Sequence, residues 1–215
     1  MKVNEIFHSI DGEGITAGQL ATFIRLSGCN MRCRYCDTEY ALDTRSGEEL
    51  TIEEILNKCK YRNVTLTGGE PLIHTSTRWL VEALAKSGHI INIETNGSVD
   101  ITPYISLDDV IITMDYKTVS SGENKKMSFK NINLLRESDV LKIVMNRSDF
   151  EDVKKMLRET APKCYIYLSP IFNEIDPVEL VDFLKECHED GINTDKMRVQ
   201  LQLHKYIWEP MQKGV

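Results

Sequence analysis

Cys29, Cys33 and Cys36 share a short loop, Cys29-Asn30-Met31-Arg32-Cys33-Arg34-Tyr35-Cys36, in C-x3-C-x2-C spacing directly after the apolar segment Ala21 to Leu26. Iron–sulfur clusters usually take four cysteine ligands, so three thiolates can hold three irons of a cubane cluster and leave one iron open to a substrate or cofactor. A structural zinc site wants four ligands, usually as two C-x2-C or Cys/His pairs, and no second pair follows; Cys59, Cys164 and Cys187 are scattered singly. A disulfide framework suits the chain poorly. Its 215 residues can bury a core without staples, and the start has no signal-peptide pattern.

The elements that must position this loop follow from the apolar periodicity. Strands are expected at Ala21 to Leu26, Asn63 to Leu66, Ile90 to Glu94, Val110 to Met114, Val140 to Val144, Tyr165 to Leu168 and Arg198 to Leu203. Between them, Thr51-Ile52-Glu53-Glu54 reads as a capping box opening a helix through Cys59. Helical spacing recurs over Thr77 to Lys86, Asp149 to Glu159 and Pro177 to Glu189. Alternating strands and helices imply a parallel sheet. The cysteine loop, Gly68-Gly69-Glu70-Pro71, Thr95-Asn96-Gly97, Asp115-Tyr116-Lys117, Ser169-Pro170 and His204-Lys205 each fall at the carboxyl end of a different expected strand, where parallel barrels build their active sites. A complete eight-unit barrel needs about 250 residues, so this length fits roughly six units.

Acidic residues exceed basic ones, 33 against 26, with a pI near 5.3, so there is no electrostatic footprint for general nucleic-acid binding. No apolar run approaches membrane-spanning length. A cytoplasmic protein is expected, a setting that also suits free thiols and an oxygen-sensitive cluster. Length favours one domain over residues 1–215, and the polar stretch Ser120 to Lys126 reads as a surface loop.

The loop resembles the signature of the radical S-adenosylmethionine (radical SAM) enzymes, in which C-x3-C-x-aromatic-C holds a 4Fe-4S cluster and SAM chelates the open iron. Tyr35 stands at the aromatic position, Thr67-Gly68-Gly69-Glu70-Pro71 looks like the G-G-E-P element, and Glu94-Thr95-Asn96-Gly97 like the T-N-G. The resemblance implies an α/β fold, an open partial (βα)6 barrel with the cluster near its upper rim. Glu5-Ile6-Phe7, Asp11-Gly12-Glu13-Gly14, Arg25 within Gln19 to Gly28, Cys36-Asp37-Thr38 and Leu203-His204-Lys205-Tyr206 further resemble the 7-carboxy-7-deazaguanine synthases over nearly the whole chain. Those enzymes convert 6-carboxy-5,6,7,8-tetrahydropterin to 7-carboxy-7-deazaguanine and ammonia, on the way to 7-deazapurines such as queuosine, and use SAM catalytically. A one-electron donor such as flavodoxin or ferredoxin and a homodimer are implied by the resemblance alone.

The resemblance also implies residue roles. Cys29, Cys33 and Cys36 would be cluster ligands. Tyr35, Asp37, Gly69, Glu70, Glu94, Asn96, Asp115, Tyr116, Lys117, Ser169, Pro170, Ile171 and Phe172 would hold SAM, Gly69 through close backbone approach to its methionine part and Glu70 at its amino group. Thr38 aligns with a magnesium ligand, a hard oxygen donor suited to an ion that keeps several waters. Ile10, Asp11, Gly12, Glu13, Arg25, Thr67, His204 and Pro210 would meet the substrate, with Glu13 on the guanidine-like edge of the pterin and Arg25 pairing its carboxylate bidentately.

Three features depart from the family wording: Asp11 for a usual glutamine, Asp115-Tyr116-Lys117 for Ser-Pro-Lys, and five residues beyond Pro210. Two other functions compete. One is an activase that installs a glycyl radical on another protein. The other is a non-enzymatic electron-transfer protein with Cys59, Cys164 or Cys187 as fourth ligand. His8, His74, His89 and His188 carry no signal, and Trp79 and Trp208 read as packing residues.

Overall fold

The computed structural model describes residues 1–210 and 212–215. Nine strands, β1 (Lys2–Ile10), β2 (Leu20–Leu26), β3 (Glu48–Glu49), β4 (Asn63–Gly68), β5 (Ile90–Thr95), β6 (Val110–Tyr116), β7 (Val140–Met145), β8 (Tyr165–Pro170) and β9 (Met197–Val199), form one sheet ordered β3-β1-β2-β4-β5-β6-β7-β8-β9. From β2 onward along that order every pairing is parallel, whereas β1 lies antiparallel to both β2 and β3. No pairing among the described residues joins β9 to β3, so the barrel is open, as expected of a partial (βα)6 architecture.

The helices are α1 (Ile52–Lys58), α2 (Thr77–Lys86), α3 (Phe129–Leu134), α4 (Phe150–Thr160), α5 (Pro177–Glu189) and α6 (His204–Ile207). Their starts follow local chemistry. The Thr51 hydroxyl accepts from the Glu54 N–H while the Glu54 carboxylate accepts from the Thr51 N–H, the capping box read from sequence. Asp176 caps α5 and Pro177 occupies its first turn, where a missing N–H costs nothing. Covered on both faces, β7 is buried at all six positions, and the apolar side chains of β4 to β8 form the core with Leu80, Leu84, Val153, Leu157, Leu180 and Phe183 from the helices.

Several expectations need correction. β1 and β3 went unread: Lys2–Ile10 mixes charged and apolar residues without clean alternation, and β3 is two residues long. The strand expected over Arg198 to Leu203 ends at Val199, and His204 opens α6 instead of closing a strand. Trp79 is 64% exposed, because α2 buries Leu80, Val81 and Leu84 on its other side. Ser120 to Lys126 is no loose loop. Ser121 and Glu123 are buried and accept the backbone N–H groups of Arg34 and Arg32, so this segment braces the cysteine loop.

That loop is seated by two glycines. Gly28 takes φ +99°, a conformation that costs other residues dearly. A Cβ on Gly69 would stand 2.4 Å from the Gly28 carbonyl oxygen and 2.6 Å from the Cys29 Cβ. Gly69 therefore lets the end of β4 pack directly under Cys29, and the backbone it brings close is the cysteine loop's own. Gly69→Ala is expected to displace that loop: iron and sulfide per chain after reconstitution should fall by more than half, with the far-ultraviolet circular dichroism of the barrel retained.

Candidate active site

The carboxyl ends of the parallel strands open into one cleft of about 450 Å³. All three loop cysteines line it, with Tyr35, Gly69, Asn96, Asp115, Lys117, Ile171 and Phe172, and so do Ile10, Gly12, Glu13, Arg25, Asp37, Thr38, Thr67, Glu94, His204 and Pro210. The cysteine thiols are free and half-buried. The Met31 N–H lies 3.4 Å from Cys29 Sγ, and the Asn96 amide 3.8 Å from it. Burial pushes the Cys33 and Cys36 thiols up, with Lys117 opposing at Cys33, so metal loading must expel protons. The Tyr35 hydroxyl donates to the Val144 carbonyl at 3.1 Å, and burial raises it to about 12.

This donor set fits an iron–sulfur cluster: three thiols at one end of one cleft, with N–H donors aimed at a sulfur, the contacts that tune such clusters. Among the described residues no three His, Cys, Asp or Glu side chains converge on a single ion. Cubane ligands have no need to, since each holds a different iron. Cys164 and Cys187 are buried in the core, Cys59 donates to the Ile55 carbonyl, and none of the three lines the cleft, so none is placed as a fourth ligand.

Across the cleft floor runs a belt of polar side chains on the inward face of successive strands. Arg25 on β2 pairs in register with Thr67 on β4, Glu94 on β5 with Thr113 on β6, and Asp115 on β6 with Lys142 on β7. Lys142 Nζ is 3.2 Å from Glu13 Oε1 and 3.4 Å from Asp115 Oδ2, and Lys117 Nζ is 3.0 Å from that same Asp115 oxygen. Desolvation alone would lower Lys142, but Asp115, Glu13 and Glu94 hold it well above the ordinary lysine value. Desolvation also opposes the charge on Asp115, and Lys117 and Lys142 overcome it, keeping the carboxyl low.

At the other end, Arg25 Nε donates to Glu5 Oε1 at 2.7 Å, and the Tyr40 hydroxyl donates to the same oxygen at 2.6 Å. The stacked rings of Phe7 and Phe23 and the ring of Tyr40 wall the guanidinium, whose terminal nitrogens make no hydrogen bond among the described residues. The His204 ring packs on Gly12, where a Cβ would meet Nδ1 at 2.5 Å, and burial lowers His204 against the pull of Glu13 and Asp37. The Thr38 hydroxyl donates to Asp37 at 2.9 Å. Burial would raise that carboxyl, yet Lys205, 3.3 Å away, and Thr38 bring it to about 2. Gln212 to Val215 also line the cleft, with Lys213 Nζ 4.0 Å above the Tyr40 ring.

Five expected site residues do not line the cleft. Asp11 is buried, with one oxygen accepting the Thr65 hydroxyl and the other the Thr16 hydroxyl, both at 2.6 Å, so its carboxylate anchors the loop from within. Glu70 is wholly buried and accepts from Thr95 Oγ1, Asn96 N and Leu72 N. Burial pushes it up to about 7, and it ties the end of β4 to that of β5. Tyr116 points opposite to Asp115 and Lys117, as strand alternation requires, and packs on Phe129. Ser169 and Pro170 are buried in the sheet behind Ile171.

Sequence reasoning missed Lys142, Gln202, Phe7 and Tyr40. Phe7 and Phe23 carried a readable signal, since Phe23 alternates with Arg25. A lysine inside Val140 to Val144 was absorbed into an apolar strand. Nothing local marks Gln202, whose amide donates to Glu13 Oε1 at 3.1 Å.

Comparison with known proteins agrees with this geometry. The family model described as Radical SAM superfamily matches residues 23–184. The chain is 39% identical to the 7-carboxy-7-deazaguanine synthase of Clostridium acetobutylicum over 100% of its own length and 99% of the relative's. It is 37% identical to that of Methanospirillum hungatei, over 98% of this chain and 86% of the relative. The crystal structure of QueE from Escherichia coli shares the fold, with a TM-score of 0.70 at 24% identity over 94% of this chain and 93% of that one. No described helix is long and apolar enough to cross a membrane. Three thiols at the rim of an open barrel, with full-length kinship on this scale, mean that the chain belongs to the radical SAM superfamily and, within it, to the 7-carboxy-7-deazaguanine synthases.

Proposed function

We propose that this enzyme converts 6-carboxy-5,6,7,8-tetrahydropterin to 7-carboxy-7-deazaguanine and ammonia. The observation that carries this reading is a single cleft with the cysteine loop at one end and, at the other, a walled guanidinium and a buried carboxylate. Cys29, Cys33 and Cys36 would hold the 4Fe-4S cluster, with SAM along Tyr35, Asn96, Asp115, Lys117, Ile171 and Phe172. When bound, the cluster and SAM would supply radical chemistry for hydrogen abstraction, and the side chains of the cleft would place the pterin and shield its reacting carbon.

The remaining work falls to the chain's own side chains. The terminal nitrogens of Arg25 receive the pterin carboxylate while Glu5 fixes Nε. Glu13 offers Oε2, a buried acceptor without a partner among the described residues, to the N–H groups of the guanidine-like edge. Ile10, Gly12, Thr67, His204 and Pro210 complete the enclosure. Thr38 gives its hydrogen to Asp37 and keeps its oxygen lone pairs for magnesium, an ion whose other ligands would be waters and substrate oxygens. We further assign the 215 residues to one catalytic domain acting in the cytoplasm as a homodimer, reduced by a flavodoxin or ferredoxin.

Anaerobic assay of reconstituted, dithionite-reduced protein with SAM, magnesium and the pterin should yield 7-carboxy-7-deazaguanine by mass spectrometry, and Cys33→Ala should abolish it. Deoxyadenosine without deazaguanine would overturn the substrate assignment. Arg25→Lys loses the planar fork, so kcat/KM should drop by about thirtyfold, roughly 2 kcal/mol, mainly through KM.

A further inference from the structure

Lys142 is a buried cation between two half-satisfied carboxylates. Glu13 has one oxygen held by Lys142 and Gln202, and its other oxygen, buried, has no partner among the described residues. Asp115 repeats the pattern: Oδ2 is held by Lys142 and Lys117, and Oδ1 is buried and unpartnered among the described residues. The two carboxylates come from different segments, Glu13 from the turn after β1 and Asp115 from β6. Asp115 and Lys117 border the cysteine loop, close enough for Lys117 to act on Cys33 and Tyr35. Glu13 sits in the loop that packs against His204 and Gln202.

We infer that Lys142 is a positioning residue that couples the SAM end of the cleft to the pterin end. Its ammonium pins one oxygen of each carboxylate and so aims the free oxygen of each at the ligand on its own side. A donor from either ligand that settles on its carboxylate fixes the Lys142 bridge. The second ligand then meets a carboxylate already ordered, which makes binding of the two mutually favourable. The inference rests on the pterin reading and adds a residue and an energetic link to it. Both carboxylates share one largely buried ammonium, so a neutral side chain leaves them without that partner.

The test is the SAM dissociation constant of cluster-loaded protein, measured by equilibrium dialysis with and without the pterin, in wild type, Lys142→Met and Lys142→Arg. Wild type should bind SAM about tenfold more tightly when the pterin is present, within the usual range of coupling between sites. In Lys142→Met that ratio should fall to within twofold of unity, and Lys142→Arg, which keeps the charge and both bridges, should retain most of it. A role confined to stability would lower the thermal midpoint and leave the ratio intact, and a ratio unchanged in Lys142→Met overturns the inference. Should the methionine variant not fold, loss of the ratio in a folded Lys142→Arg protein would overturn it instead. Wild type that binds SAM but not the pterin would fail the substrate reading, and the coupling with it. Wild type that binds both with no mutual effect would fail the coupling alone.

Discussion

The structure turns on the need to neutralise charges inside a barrel. Moving an ion from water into a protein interior costs several kcal/mol even after relaxation, so charges persist there only as mutually satisfied sets. Here the register of a parallel sheet supplies the set. Arg25 stands beside Thr67, Glu94 beside Thr113 and Asp115 beside Lys142, with β6 giving two inward positions and β2, β4, β5 and β7 one each. Glu5 and Tyr40 close the set at Arg25, Lys117 closes it at Asp115, and Glu13 reaches Lys142 from the turn after β1. A one-residue slip in any of these strands would turn its member outward and strand the partners. The belt thus constrains the register of the sheet as much as it prepares the cleft.

The same constraint explains which parts of the site could be read from the sequence. The cysteine loop was legible because its spacing is itself the chemistry. Strands β4 to β8 were legible because sheets covered on both faces demand nearly continuous apolar runs. Lys142 sat inside such a run and looked like an exception to be absorbed, though a lysine at an inward position of a buried strand demands carboxylate partners by its charge alone. Alternation could have excluded Tyr116 once Asp115 and Lys117 were placed inward. Motif matching points Gly69 and Glu70 at the cofactor; in the fold Gly69, which lines the cleft, also admits the cysteine loop, while Glu70 lies outside the cleft and binds the end of β5. No local pattern exposes such roles, because they depend on which loop lies against which.

Asp11 shows how a departure from a family pattern can be absorbed by structure. Read linearly, an aspartate at a glutamine position removes an amide donor from the substrate and calls the substrate into doubt. In the fold, both carboxylate oxygens are spent on Thr65 and Thr16, and the backbone of Asp11 pairs with Gln19 and Gly18. The side chain therefore shapes the turn from within. Gly12 admits the His204 ring, the Gly12 carbonyl accepts the Leu203 N–H, and Gln200 brackets Gly14 from both sides of its peptide. Residues far apart in the chain thereby close on one another over the cleft, and in the turn Glu13 keeps an oxygen that is buried and without a partner among the described residues. An exchange that looks like altered chemistry in the sequence is, in three dimensions, taken up by the hydrogen bonds that hold the turn itself.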